Sequence, residues 1–116
     1  MDNPCFTLLS HPTGRVIESR KPYDADMLRV IRHARQRGCF PELNAHPERL
    51  DLLDSHCITA REAGVPVAID SDAHAREDFA HLRLGIGQAR RGWLAADVLN
   101  TRPLPELRRL LAGARK

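Results

Sequence analysis

Apolar positions along the chain alternate between short unbroken runs and stretches with helical spacing. Phe6-Thr7-Leu8-Leu9 ends abruptly in Ser10-His11-Pro12-Thr13-Gly14-Arg15 and reads as a buried strand followed by a polar loop. Met27, Leu28, Val30, Ile31 and Ala34 follow the i, i+3, i+4, i+7 spacing of one helix face, with Asp24 placed to cap its start and Gly38 to stop it in the left-handed conformation. Cys39-Phe40-Pro41-Glu42-Leu43-Asn44 predicts a second strand, although Pro41 has no N–H for a ladder and is out of place in a central strand. Asp51 is expected to cap a second helix through Leu53, Cys57 and Ala60, closed by Gly64, and Val65-Pro66-Val67-Ala68-Ile69 makes a third strand. Beyond Asp78 the pattern weakens to a short helix over residues 86–91 before Gly92, then a last one from Pro105 through Leu107, Leu110 and Leu111.

Alternation of strand and helix with short connections predicts an α/β fold with a parallel sheet, because parallel strands need crossovers of this kind. No repeat, linker or low-complexity tract divides residues 1–116, so a single unit is expected. Each strand is apolar until its carboxyl end, where polar residues gather: Ser10 and His11, then Glu42 and Asn44, then Asp70, Asp72 and His74. Ligands of parallel α/β sheets bind at the carboxyl edge, so the three clusters are expected to converge on one pocket.

Asp72 and His74 stand two residues apart, which on extended backbone puts both side chains on one side, within reach of a shared metal ion. His11, from another strand end, would complete a mixed nitrogen and oxygen donor set suited to Zn, Mn or Fe, and such ions activate water for hydrolysis. The plainer alternative makes Asp72 a turn cap, His74 a surface residue and His11 a loop histidine held by local hydrogen bonds. Glu42 and Asn44 would orient ligands or touch substrate, or else serve the turn before Pro47. Arg15 and Arg49 follow strand-end loops, where a guanidinium grips phosphate; otherwise they are surface ion-pair partners.

Composition narrows the classes. With 42% hydrophobic and 28% charged residues the 116-residue chain is an ordinary globular sequence, and no apolar run approaches the roughly 20 residues of a membrane span. Asp2 and the lack of an apolar stretch behind it argue against a secretory signal, which favours the cytoplasm. Cys5, Cys39 and Cys57 form no CxxC and are expected to be reduced, packed thiols. Net charge is +3, and all but two of the 18 basic residues, Lys21 and Lys116, are Arg. That is mild support for an anionic partner. Arg29, Arg32, Arg35 and Arg37 lie off the apolar stripe of the first helix, as a solvated face or a nucleic-acid contact. No phosphate loop, GxGxxG, zinc-finger spacing or Ser-His-Asp order is present.

Several motifs in order resemble one family. Ser10-His11-Pro12-Thr13-Gly14-Arg15, Glu42-Leu43-Asn44-Ala45 with PERLDL over residues 47–52, Asp70-Ser71-Asp72-Ala73-His74 and Gln88-Ala89-Arg90-Arg91-Gly92-Trp93-Leu94 are similar to the polymerase and histidinol phosphatase (PHP) domain of bacterial family-X DNA polymerases. The resemblance implies a partial (β/α)7 barrel, about three parallel βα units plus C-terminal helices, forming the C-terminal portion of a PHP domain without a polymerase domain. It further implies divalent metal ions, Mn or Zn, with His11, Asp72 and His74 as the last three ligands. The remaining ligands, beginning with an HxH pair, are expected to precede Met1. The implied activity is a metal-dependent phosphoesterase, a 3'-5' exonuclease acting on DNA; with that substrate, the strand-end reading puts Arg15, Asn44 and Arg49 on the substrate and Glu42 behind the ligands. A part-barrel is expected to leave sheet edges uncovered and to self-associate, binding metal weakly and hydrolysing little. The alternative is an inactive remnant that binds nucleic acid through its Arg residues.

Overall fold

A computed structural model describes residues 6–19, 21, 26–95 and 97–113. Three parallel strands, β1 (Leu8–Leu9), β2 (Phe40–Asn44) and β3 (Ala68–Asp70), stand in the order β1-β2-β3. Helix α1 (Met27–Arg37) connects β1 to β2, and α2 (Asp54–Ala63) connects β2 to β3. A 3-10 turn (Arg76–His81) leads into α3 (Leu82–Arg91), and a second one (Leu99–Thr101) precedes α4 (Leu104–Gly113). The α/β class and parallel sheet agree with the apolar pattern. None of the described helices is long and apolar enough to cross a membrane.

Gly38 and Gly64 both stop their helices in the left-handed region, at φ 67° and 72°, where a side chain would be strained. Asp26 caps α1 by accepting from Arg29 N–H at 3.2 Å; Asp24, expected in that role, lies outside the described residues. Met27 and Ile31 of α1 share the main core with Leu43, Val67 and Ile69 of the sheet region, Cys57 and Ala60 of α2 and Ala89 of α3, and Ala34 of α1 is buried as well. Phe40, Ala68 and Leu99 form a second cluster under Leu107, Leu110 and Leu111 of α4.

Pro41 does lie in the central strand, fully buried. The Phe40 N–H donates to Thr7 O at 3.0 Å, so alternation turns position 41 toward β3, where the ladder begins only at Glu42 and no donor is missed. Asp51 does not cap α2, whose N-cap is Leu53; its carboxylate is used elsewhere. The third helix begins at Leu82, four residues before the expected start. Beside β3 the sheet is continued by residues 97–100. Val67 N–H donates to Asp97 O at 2.9 Å, and Leu99 N–H donates to Val67 O at 2.8 Å. The Asn100 side chain then pairs with both Ile69 N–H (2.9 Å) and Ile69 O (2.6 Å), as a neighbouring strand would. On the other side, Leu8 of β1 is 43% exposed.

Candidate functional site

Loops 10–16, 45–53 and 71–75 leave the carboxyl ends of β1, β2 and β3, and a cleft of about 270 Å³ opens between them. His11 and Val16 line it from the first loop, His46, Glu48 and Arg49 from the second, and Asp72 and His74 from the third. Four residues singled out in the sequence, His11, Arg49, Asp72 and His74, therefore share one wall-to-wall space although they come from three strand ends. Among the described residues, no group of three or more His, Cys, Asp or Glu side chains is drawn close enough to hold a metal ion.

Two of the lining residues sit on strained backbone. His11 (φ 48°) and Asp72 (φ 51°) occupy the left-handed region, at a cost of about 1–2 kcal/mol each for a residue with a Cβ, and such conformations cluster where side chains must be aimed. The first two loops, 10–16 and 45–53, are stitched together. The Asp51 carboxylate is wholly buried and accepts from Thr13 N–H (3.1 and 3.0 Å) and Gly14 N–H (2.9 Å), 38 and 37 residues away. In return Arg15 Nε donates to Arg49 O at 2.6 Å and its Nη2 to Leu50 O at 2.5 Å. Arg15, considered for phosphate, thus points its guanidinium at the second loop, and burial lowers its pKa against the opposing pull of Asp51 and Asp54.

Beneath the cleft lies a layer of buried polar groups. Glu42 Oε1 accepts from His11 N–H at 2.9 Å and from Ser10 Oγ at 3.4 Å, and stands 3.7 Å from His11 Nδ1. Asn44 is 0% exposed, so it presents no surface to a substrate in this conformation. Its Oδ1 accepts from His46 N–H at 3.0 Å and its Nδ2 donates to His11 Nδ1 at 3.3 Å, which makes it an anchor for two cleft histidines. The Asp70 carboxyl faces Glu42. Burial first, then the hydrogen bond and charge of Glu42, raise its pKa to about 8.

His74 is held by its own turn. Its Nδ1–H donates to Asp72 O at 2.8 Å, while its backbone N–H and that of Ala75 donate to Asp78 Oδ2 at 3.0 and 3.1 Å. A carbonyl only accepts, so Nδ1 carries the proton and Nε2 keeps its lone pair, the arrangement in which metal-binding histidines are found.

His46 escaped the reading of the sequence. The signal was present: Asn44-Ala45-His46 at the end of β2 spells the same polar-Ala-His step as Asp72-Ala73-His74 beyond β3. Arg29, Arg32, Arg35 and Arg37 are exposed on α1 and do not line this cleft. A larger cavity of about 460 Å³ lies at the far end of the strands among Arg35, Arg37, Cys39, Phe40 and Arg109. It gathers no acid–base or ligand set, and volume alone does not mark a site.

Over 112 residues, 96% of its length, the chain is 38% identical to the DNA polymerase/3'-5' exonuclease PolX of Bacillus subtilis (strain 168). It is related to one segment of a family-X DNA polymerase. The chain spans 20% of the length of that PolX. No family model matches it. The cleft residues of all three loops fall on this chain's PolX-like stretch, which takes in nearly every described position.

Proposed function

We propose that this chain contributes part of a metal-dependent phosphoesterase site, of the PHP type that in PolX-like proteins would serve the 3'-5' exonuclease, with DNA or another phosphoester as substrate. The sheet would then be a segment of a (β/α)7 barrel. The supporting observation is that His11, Asp72 and His74 come from two strand ends and line one cleft, His11 and Asp72 on strained backbone. The donors suit a divalent ion such as Mn or Zn. Asp72 offers a carboxylate beside a His74 ring already in the ligating tautomer. His11 fits once its Nδ1 turns from Asn44 to Glu42 Oε1, 3.7 Å away, leaving Nε2 to the ion. When bound, a divalent ion lowers the pKa of its water and neutralises charge building on a phosphoryl oxygen. The chain's own residues do the rest: Arg49 faces the phosphate, Arg15 and Asp51 hold the loops in register, and Glu42 and Asn44 set the His11 ring.

Calorimetric titration with Zn or Mn tests this directly. Asp72→Asn and His74→Ala are expected to weaken binding at least tenfold while leaving the fold intact, consistent with loss of one ligand. Equal affinity in wild type and both variants would refute it. Hydrolysis of a phosphodiester, if detectable, is expected to need added metal and to vanish in the same variants.

A further inference from the structure

The cleft holds two histidines on matching tripeptides, and their hydrogen bonds fix them in opposite tautomers. His74 Nδ1 meets a carbonyl and must carry hydrogen. His46 Nδ1 meets the Glu48 N–H at 3.1 Å, a group that only donates, so this nitrogen must present its lone pair. In the neutral ring the proton of His46 therefore sits on Nε2. His81 packs edge-on against the same ring, with centroids 5.3 Å apart and planes at 68°, and His46 N–H is anchored on Asn44 Oδ1. The ring is thus held by the Glu48 N–H and the His81 ring, and its backbone by Asn44.

We propose that His46 binds the substrate through Nε2–H, donating to a non-bridging oxygen of a phosphate ester, and takes no part in holding metal. A neutral Nε2–H offers no lone pair to an ion, whereas beside Arg49 it supplies the second, directional donor that an anionic tetrahedral oxygen group accepts. The division of labour within the cleft follows: His74 and Asp72 present acceptors, His46 and Arg49 present donors. This assignment rests on the proposed phosphoesterase reading for its ligand class, but the tautomers follow from hydrogen-bond partners alone.

The test uses the metal-free chain, labelled with 15N, at about pH 8, where ordinary imidazoles are neutral. Long-range 1H–15N correlation is expected to show His46 protonated at Nε2 and His74 at Nδ1; an Nδ1–H signal for His46 would overturn the proposal. Titration with inorganic phosphate and thymidine 5'-monophosphate is expected to shift His46 Nε2. His46→Ala is expected to weaken phosphate binding about tenfold, and His46→Gln, whose amide reaches a similar point, to restore most of it. Neither change is expected to move Zn affinity, which His74→Ala reduces. Loss of Zn binding in His46→Ala, or unchanged phosphate binding, would overturn the proposal. Unchanged Zn binding in His74→Ala with phosphate still dependent on His46 would sink the metal reading and leave the donor role standing.

Discussion

Removing the Asp51 carboxylate would unstitch the site without touching any cleft-lining side chain. Asp51 is 0% exposed and Thr13 1% exposed, so the two amide protons that bond it have no water to turn to. A hydrogen bond to a charged partner contributes about 1.5–3 kcal/mol, and two N–H groups are involved. Asp51→Ala is therefore expected to cost about 3–5 kcal/mol after allowance for water entering the gap, a large share of the ~5–15 kcal/mol available to a domain. Asp51→Asn keeps one carbonyl acceptor and loses the charge and one bond, and should cost about 1.5–3 kcal/mol. Urea unfolding followed by far-UV circular dichroism measures both, and the amide proton shifts of Thr13 and Gly14 report the bonds themselves. An Asp51→Ala protein within about 0.5 kcal/mol of wild type would refute the reasoning, since that is the range of an indifferent surface change.

Glycines of α3 separate packing from propensity. A Cβ on Gly85 would stand 2.7 Å from Ala45 Cβ and 2.9 Å from Ile69 Cγ2, so Gly85→Ala should lose about 1–3 kcal/mol in urea unfolding, while Gly87→Ala, with nothing within 4 Å, should gain about 0.5–1 kcal/mol. Asp70 has its folded pKa raised to about 8 from an unfolded value near 3.8, so its stabilising effect is complete below pH ~4 and is lost as pH rises through about 8. In metal-free buffer, Asp70→Asn should flatten that part of the pH dependence of the urea midpoint; identical slopes would contradict it. Burial pushes the Cys57 thiol up to about 12, and it is 0% exposed, so at neutral pH it should resist alkylation in native protein and react once urea unfolds the chain, as read by mass spectrometry of the tryptic peptide.

Much of the architecture was legible because local signals and tertiary demands coincide. Gly38 and Gly64 follow apolar stripes that really do face the core, and each strand turns polar where it leaves the sheet. The convergence of His11, Arg49, Asp72 and His74 followed from one rule about strand ends. Asp51 was not legible: an Asp shortly before a helix looks like a cap, and nothing local reveals partners 38 residues upstream. The early start of α3 was hidden by Gly85 and Gly87, poor helix formers that are needed or tolerated where the helix crosses Ala45 and Ile69. Asn100 likewise closes the β3 edge through a side chain, a device with no periodic signature.

The most direct examination of the site is to add substoichiometric Mn to the 15N-labelled chain and map which resonances broaden, because paramagnetic broadening falls steeply with distance from the ion. Broadening confined first to loops 10–16 and 71–75, centred on His11, Asp72 and His74 and abolished by Asp72→Asn, is the predicted result. Broadening centred elsewhere, for instance at His33 or His56, or spread evenly over the surface, would contradict the account.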